Sequence, residues 1–453
     1  PNKFSIYKER LKKFDYDLGI LNGNVYIDGA FINTSIGIKK NKISHLGDLK
    51  AQQCLKSINF ENKYVLPGMI DTQVHFREPG LKHKEDIYHG TKGAIMGGVT
   101  TIFEMPNTSP PTTNIDELEK KFKIAEKNGF CNFSFFIGAT KENIDNLNQL
   151  ESYTGCCGIK IFMGSSTGDL LVEDDQNILK ILKKAKKMVA IHSEDEFRLE
   201  ERKKLFNKDS LKVLDHPELR DVISAVRSTK RLLESARLAK KKIHILHLST
   251  VDEVHILSEN KDIATCEVTP QHLFFSAPEC YEKLGTFSQM NPPIRDKLHT
   301  QGLWKGLEDG IIDVLGSDHA PHLKIKKKKK YPQSPSGMTG VQTLLPIMLN
   351  FINQGKLSIF DLVKLVCVNP CKIYKILNKG EIKIGFDADL TIVDMKKEFL
   401  ISNNWIQSKS KWTPYDNYKV TGMPVFTICN GKVVMSENEV TLKPSGKKIK
   451  FKN

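Results

Sequence analysis

The sequence has no run of about 18 apolar residues, the length that a membrane-spanning helix requires. The chain begins with PNKFSIYKERLKKFDYD, which is polar and basic and lacks the apolar segment of a secretory signal. These two absences argue against a membrane protein and against an exported one. They predict a cytoplasmic protein without a membrane partner.

Cysteine is scarce and forms no C-x-x-C pair of the kind found in zinc knuckles. Nine cysteines are scattered over 453 residues, and only Cys156 and Cys157 are neighbours. An odd number of cysteines in a chain of this length favours reduced thiols and argues against a disulfide framework.

Acidic residues are outnumbered, with 53 Asp and Glu against 68 Lys and Arg, and the formal net charge is +15. Lysine is spread along the whole chain, and no aromatic-rich module or known nucleic-acid motif accompanies it. We therefore predict no nucleic-acid partner. The densest basic run, residues 324–330 with Ile325 inside it, is interpreted as a solvated loop rather than a phosphate site.

The hydrophobic pattern predicts an α/β fold, a (β/α)8 barrel over residues 64–384. Eight short apolar runs end near His75, Met105, Phe136, Phe162, His192, His247, Val268 and Gly316. Helix-like segments separate them, for instance 86–96, 115–127, 176–187, 220–240 and 297–307. A doubly wound open sheet is the alternative, but no Gly-rich phosphate turn follows the first strand.

The two flanks of the barrel have a different pattern. Residues 17–63 and 385–445 alternate apolar and polar positions and contain Asn-Gly and Asp-Gly pairs, which are typical of hairpins. We expect both ends to pair into one small β-sandwich-like domain, because chain termini often lie close together.

Residues of metal-binding or bridging type stand at or near five predicted strand ends: His75, Lys160, His192, His247 and Asp318. In a barrel these ends converge on one face, where the active site lies. One histidine at a strand end is more often structural than a ligand. Five such residues together favour a site for a zinc-like ion, which prefers imidazole nitrogen and carboxylate oxygen.

Ten segments in order strengthen this interpretation: PGMIDTQVHFREPG, EMPNTSPPT, GIKIFMG, AIHSED, HILHLST, NPPIR, GSDHAPH, PSGMTG, NPCKIY and GFDADLTIVD. With them the chain resembles the amidohydrolases, and within these the dihydroorotases, from about Tyr64 to Val434. The resemblance implies one or two zinc ions. It assigns His75 to the first metal, His192 and His247 to the second, and a bridging carboxylated amine to Lys160. It also makes Asp318 a first-metal ligand and the group that shuttles the proton.

The resemblance also implies the substrate. It assigns Arg77, Asn107 and His322 to a substrate carboxylate and Asn291 to the ring. Related hydantoinases and allantoinases generally lack an arginine at the Arg77 position. We expect Arg77 to point to the same side as His75, two positions earlier, if the strand continues that far. The alternative for Arg77 is a salt bridge to Glu78 or Asp71.

These assignments imply reversible hydrolysis of (S)-dihydroorotate to N-carbamoyl-L-aspartate in pyrimidine biosynthesis. The resemblance also allows a homodimer and an association with an aspartate carbamoyltransferase. Two alternatives stay open: another cyclic amidohydrolase such as a hydantoinase or allantoinase, and a catalytically silent subunit that supports a carbamoyltransferase.

Gln73 departs from the family pattern, because it replaces the first histidine of His-x-His. An amide oxygen is a weaker ligand for a zinc-like ion than an imidazole nitrogen. Three possibilities remain: two metals with weaker binding at the first site, one metal on the side of Lys160, His192 and His247, or a silent relative.

Overall fold

The structure is a computed structural model that describes residues 14–166, 168, 170–207 and 209–452. The polar segment used to argue against a secretory signal lies mostly in residues 1–13, outside the described residues. Across the described ranges, no helix is both long and apolar enough to cross a membrane.

Seventeen strands are present in the described residues. They are β1 Tyr16–Ile27, β2 Ala30–Lys39, β3 Lys42–Gly47, β4 Cys54–Asn59, β5 Tyr64–Pro67, β6 Met69–Val74, β7 Val99–Glu104, β8 Asn132–Gly138, β9 Cys156–Phe162, β10 Met188–His192, β11 Ile243–Ile245, β12 Ala264–Val268, β13 Val314–Leu315, β14 Leu390–Ile401, β15 Tyr418–Cys429, β16 Lys432–Ser436 and β17 Glu439–Val440.

The α-helices of the described residues are α1 Ile87–Met96, α2 Ile115–Asn128, α3 Leu147–Glu151, α4 Asp175–Lys184, α5 Glu196–Leu205, α6 His216–Leu219, α7 Val222–Ala239, α8 Val251–Ser258, α9 Pro270–Phe274, α10 Glu279–Leu284, α11 Lys297–Glu308, α12 Lys324–Lys327, α13 Leu344–Asn353, α14 Ile359–Val363 and α15 Asn369–Tyr374.

The strands β6 to β13 form one parallel sheet in chain order, and the sheet closes on itself. Closure is made by a parallel bridge between Val74 and His319, and the amide of His75 donates to the carbonyl of His319 at 2.7 Å. The strands are almost entirely buried, as expected when helices cover the outside of a parallel barrel. The predicted (β/α)8 fold class is confirmed.

The helices begin where a polar side chain caps the first turn. Asp86, Asn114, Asp174 and Asp221 each accept a hydrogen bond from a backbone amide at the start of α1, α2, α4 and α7. All five helical segments predicted from periodicity are present, and their ends differ by at most three residues. Capping and amphipathic periodicity are local signals, which is why they are readable in the sequence.

The two flanks join in one nine-stranded sheet, in the order β17-β16-β15-β14-β5-β1-β2-β3, with β4 also pairing with β1. The strand β14 lies antiparallel to β5, with Ile392 opposite Val65, so the two chain ends share a sheet. The pair Asp28-Gly29 forms the predicted hairpin turn, because both residues have positive φ. The pair Asn22-Gly23 does not; it lies inside β1, at a register shift in its pairing with β2.

The prediction of reduced cysteines agrees with the structure. All nine cysteines are free thiols, and eight are buried.

The solvated-loop interpretation of residues 324–330 is wrong at Lys327, which is 0% exposed at the end of α12. Its ammonium donates to the carbonyls of Gln289 and Pro335 at 3.0 and 2.9 Å.

Candidate active site

One cleft at the carboxyl ends of the barrel strands brings together eight of the nine predicted site residues: His75, Arg77, Asn107, Lys160, His192, His247, Asn291 and Asp318. The ninth, His322, lies behind the wall of the cleft and contacts Arg77, with 3.4 Å between Nε2 and Nη2. Gln73 also lines the cleft, together with Ser336 and Gly337 of the PSGMTG segment.

His75 and Asp318 form one pair of candidate ligands. The Nε2 atom of His75 is 3.1 Å from Oδ1 of Asp318, and its Nδ1 is 2.7 Å from Oδ1 of Asn107. Burial lowers the pKa of His75, which favours the neutral imidazole that binds metals. Burial acts to raise the pKa of Asp318, but the hydrogen bond with His75 and nearby positive charge hold it below its usual value.

His192 and His247 form a second pair. The Nδ1 atom of His192 is 3.0 Å from Nε2 of His247. On its other side, Nε2 of His192 is 2.7 Å from the carboxylate of Glu194, which also accepts from Nε of Arg220 at 3.1 Å. Sequence reasoning missed Glu194 and Arg220. The signal for Glu194 was a carboxylate two positions after His192, since a metal-binding histidine is usually oriented by a second polar group.

Lys160 interacts electrostatically with both pairs. It projects from β9, is 1% exposed, and its Nζ has no hydrogen-bond partner within the described structure. Its charge acts on His75, His192, His247 and Asp318. Burial lowers the pKa of Lys160 to about 7, against the opposing effect of Asp318 and Glu267. A large fraction of this amine is therefore uncharged near neutral pH.

The two pairs do not by themselves complete a metal site. Among the residues that the structure describes, no three His, Cys, Asp or Glu side chains are grouped so that they could hold a metal. The donor set fits a zinc-like ion only if Lys160 supplies oxygen ligands to both pairs, as a carboxylated amine would.

Arg77 is a buried cation whose partners are neutral. The side chain is 1% exposed; Nε donates to the carbonyl of Pro321 at 3.3 Å, and Nη1 has no partner in the described structure. The alternative of a salt bridge is wrong, because within the described ranges Arg77 forms no ion pair, and Glu78 pairs with Lys82 at 3.3 Å. Burial lowers the pKa of Arg77 to about 10.

The path that brings Arg77 into the cleft differs from the expectation. The strand β6 ends at Val74, so strand alternation does not extend to Arg77. Arg77 instead has φ 62°, and His247 and Asp318 also have positive φ, of 34° and 44°. Such backbone is costly for residues other than glycine and is concentrated at functional sites.

Four buried polar atoms without a partner in the described structure converge on the cleft: Oε1 of Gln73, Nη1 of Arg77, Nζ of Lys160 and Oδ1 of Asn291. Leaving such a group buried and unpaired costs about 1–3 kcal/mol, and more when it is charged. The cleft is therefore arranged to receive polar groups from a ligand.

Known proteins resemble the chain through nearly its whole length. The sequence model of the Amidohydrolase family matches residues 64–434. A dihydroorotase of Methanosarcina acetivorans is 35% identical over 443 residues, which cover 94% of this chain and 94% of that protein. A dihydroorotase of Pyrococcus abyssi is 35% identical over 434 residues, covering 95% of this chain and 98% of that protein. Among solved structures, an L-hydantoinase (dihydropyrimidinase) of Arthrobacter aurescens has a TM-score of 0.88 at 27% identity, covering 96% and 100% of the two chains.

Proposed function

The chain belongs to the amidohydrolase family, and we propose that it hydrolyses a cyclic amide, (S)-dihydroorotate, reversibly to N-carbamoyl-L-aspartate. One observation carries the choice of substrate. Arg77 is a buried guanidinium that faces a cleft of ligand-type residues and has no carboxylate partner among the described residues. A planar guanidinium fork matches a substrate carboxylate.

The proposed metal is zinc, held by His75 and Asp318 on one side and by His192 and His247 on the other. Bound zinc would polarise the amide carbonyl and activate water for attack. Lys160 would join the two sides as a carbamate. Its pKa of about 7 supports this, because the neutral amine is the form whose nitrogen attacks carbon dioxide and then releases a proton.

The side chains have separate tasks in this proposal. Asp318, ionised because its pKa is low, takes the proton from the attacking water and delivers it to the leaving ring nitrogen. Asn107 orients His75 and contributes to carboxylate binding with Arg77. His322 contacts Arg77 and positions it, while Asn291 meets the ring.

In this proposal, Gln73 lowers the zinc affinity of the site beside His75 and Asp318. Its amide oxygen lines the cleft without a protein partner, so it is available as a weak ligand. We propose two ions, with the ion beside His75 and Asp318 held less tightly than the other.

The test uses the purified chain with zinc and bicarbonate. Ring opening of dihydroorotate and ring closure of N-carbamoyl-aspartate are measured, with hydantoin and dihydrouracil as cyclic amides that lack the carboxylate. Preferential turnover of dihydroorotate supports the proposal, and preference for the neutral rings supports the alternative of a hydantoinase, the activity named for the similar solved structure. No turnover of any of these substrates would support the alternative of a catalytically silent subunit. An anomalous-scattering map of crystals counts the metals.

The proposal includes three further expectations: a cytoplasmic location, which comes from the sequence pattern, and a homodimer and an association with an aspartate carbamoyltransferase, which come from the resemblance. Sedimentation of the chain alone tests the homodimer. Sedimentation of its mixture with a carbamoyltransferase from the same source tests the association.

A further inference from the structure

A second cavity of about 910 Å³ lies at the other end of the barrel, at the amino ends of the strands. Its wall includes residues at or beside the starts of β9, β10, β11 and β12: Gly155, Met188, Lys242 and Ala264. Residues 372–375 and 450–452 complete the wall. As far as the structure describes the chain, the cavity shares no lining residue with the candidate active site.

Nine lysines are among the described residues that line this cavity: Lys186, Lys187, Lys241, Lys242, Lys261, Lys372, Lys375, Lys450 and Lys452. Glu151 is the one acidic residue among the described residues of the wall, and its two oxygens accept from the backbone amides of Lys186 and Lys187 at 2.6 and 2.8 Å. Lys261 pairs with Asp313 at 2.5 Å. The other eight lysines form no direct ion pair with any residue that the structure describes, so the wall carries a large excess of positive charge.

Two of these ammonium groups are held in place by the backbone around the cavity. Nζ of Lys187 donates to the carbonyl of Cys156 at 2.6 Å, and Nζ of Lys241 donates to the carbonyl of Lys186 at 3.0 Å. Burial lowers the pKa of Lys241; the negative charge of Glu151 opposes this effect, and the like charge of Lys375 adds to it. The lysines are therefore close enough to repel one another, and a bound anion would relieve that repulsion.

The composition of the wall indicates the class of anion. Its described residues include lysines and no arginine, and ammonium groups bind phosphate as point charges, without the bidentate fork that arginine offers to carboxylate and phosphate. Eight lysines without a direct ion pair favour a multiply charged ligand. Tyr153, Ile263, Ile373 and Phe451 add aromatic and aliphatic surface that could contact an organic ring.

We propose that this cavity binds a polyphosphate anion carrying an organic ring, namely a nucleoside triphosphate. Its volume lies within the range of about 300–1,000 Å³ that is usual for small-molecule sites. A concave cavity suits a compact ligand better than a nucleic-acid backbone, which would need a basic surface that extends beyond it. The proposal does not depend on the activity assigned to the other end of the barrel.

The binding test is calorimetry on the full chain with ATP, inorganic triphosphate and adenosine, at low salt and at about 1 M salt, where charges are screened within about 3 Å. We expect ATP to bind more tightly than triphosphate, adenosine not to bind, and high salt to weaken both anions. Absence of ATP binding at low salt would refute the proposal. Equal affinity for triphosphate and ATP would show that the organic ring does not contribute to binding, and the assignment to a nucleoside triphosphate would be wrong. A single-stranded oligonucleotide that displaces ATP and binds more tightly would identify a nucleic-acid surface instead.

Charge-neutralising variants locate the site. The test variant combines Lys242→Gln, Lys372→Gln and Lys450→Gln, three exposed lysines of the cavity wall. The control variant removes the same charge elsewhere, with Lys39→Gln, Lys56→Gln and Lys230→Gln. These three are exposed, lie outside the cavity wall, and form no ion pair with the described residues.

An ammonium–phosphate contact at about 4 Å in water contributes about fivefold to affinity, so we expect the test variant to bind ATP about 100-fold more weakly. The control should stay within about twofold of the original affinity, apart from long-range screening. Equal weakening in both variants would mean that ATP responds only to the net charge, and it would overturn the proposal. Thermal unfolding of both variants checks that they are folded, and the single change Lys242→Glu gives a second measure if a triple variant is not.

Discussion

Replacing Arg77 with methionine should separate the role of this buried cation in substrate recognition from its effect on the stability of the fold. Methionine keeps most of the length of the side chain and, like arginine, has to adopt the positive φ of 62° at this position. The change removes the guanidinium that we propose holds the substrate carboxylate. It also removes a charge that has no carboxylate partner among the described residues.

The expected loss of activity follows from the energy of a buried charge pair. Truncating one partner of such a pair costs 2–5 kcal/mol, and about 3 kcal/mol corresponds to a decrease of roughly 150-fold in kcat/KM. Dihydroorotate should show this loss, whereas any slow turnover of dihydrouracil, which lacks the carboxylate, should change by less than about threefold. The kcat/KM of Arg77→Lys toward dihydroorotate should lie between those of the original protein and Arg77→Met, because lysine keeps the charge and loses the fork.

Stability should change in the opposite direction. Burial lowers the pKa of Arg77 from 12.5 to about 10, which corresponds to about 3 kcal/mol of destabilisation by the charge at neutral pH. Methionine loses the hydrogen bond to the Pro321 carbonyl, worth about 1 kcal/mol. We therefore expect the free energy of unfolding of the apoprotein to rise by about 2 kcal/mol.

The assay combines steady-state kinetics with both substrates and urea unfolding of the metal-free protein. Equal loss of activity toward dihydroorotate and dihydrouracil would show that Arg77 does not recognise the carboxylate. A decrease in unfolding free energy would show that the buried guanidinium is compensated in the protein, which would contradict the reasoning for a ligand.

Three further predictions concern the metal centre. Gln73→His should raise the affinity for the more weakly held zinc ion by at least tenfold, and a zinc titration that shows no change would refute the assignment of Gln73 to that side. Glu194→Gln should weaken zinc binding about 10- to 100-fold, because it loosens the contact that orients His192, while unaltered binding would make Glu194 purely structural. Activation of the metal-free protein by zinc and carbon dioxide, with dissolved carbon dioxide held at one concentration, should accelerate as the pH rises through about 7 and then level off, since deprotonation yields the neutral amine of Lys160; a rate that rises only near pH 10 would contradict its lowered pKa.

Most of the barrel was predictable because its signals are local. Each strand is a short apolar run, each long helix has an amphipathic period, and polar residues such as Asp86 and Asn114 mark the helix starts. The candidate ligands were predictable for a related reason. In a closed parallel barrel, residues at the carboxyl ends of strands must converge, so their positions in the sequence imply that they share a face.

Three features could not be predicted from local pattern. The orientation of Arg77 depends on a left-handed backbone after β6, not on strand alternation. The burial of Lys327 depends on carbonyls of Gln289 and Pro335, which belong to other segments. The contact of Glu194 with Arg220 joins residues 26 positions apart.

The sequence by itself determined the order of strands and helices, the segments shared with amidohydrolases, and the residue types available for chemistry. Only the tertiary structure decided which charges lose their solvent and which stay uncompensated. Burial depends on everything that packs around a group, so Lys160 has a pKa of about 7 although nothing in its segment of sequence reports it. For the same reason, lysines that are dispersed along the chain line one cavity with an excess of positive charge only when the barrel closes.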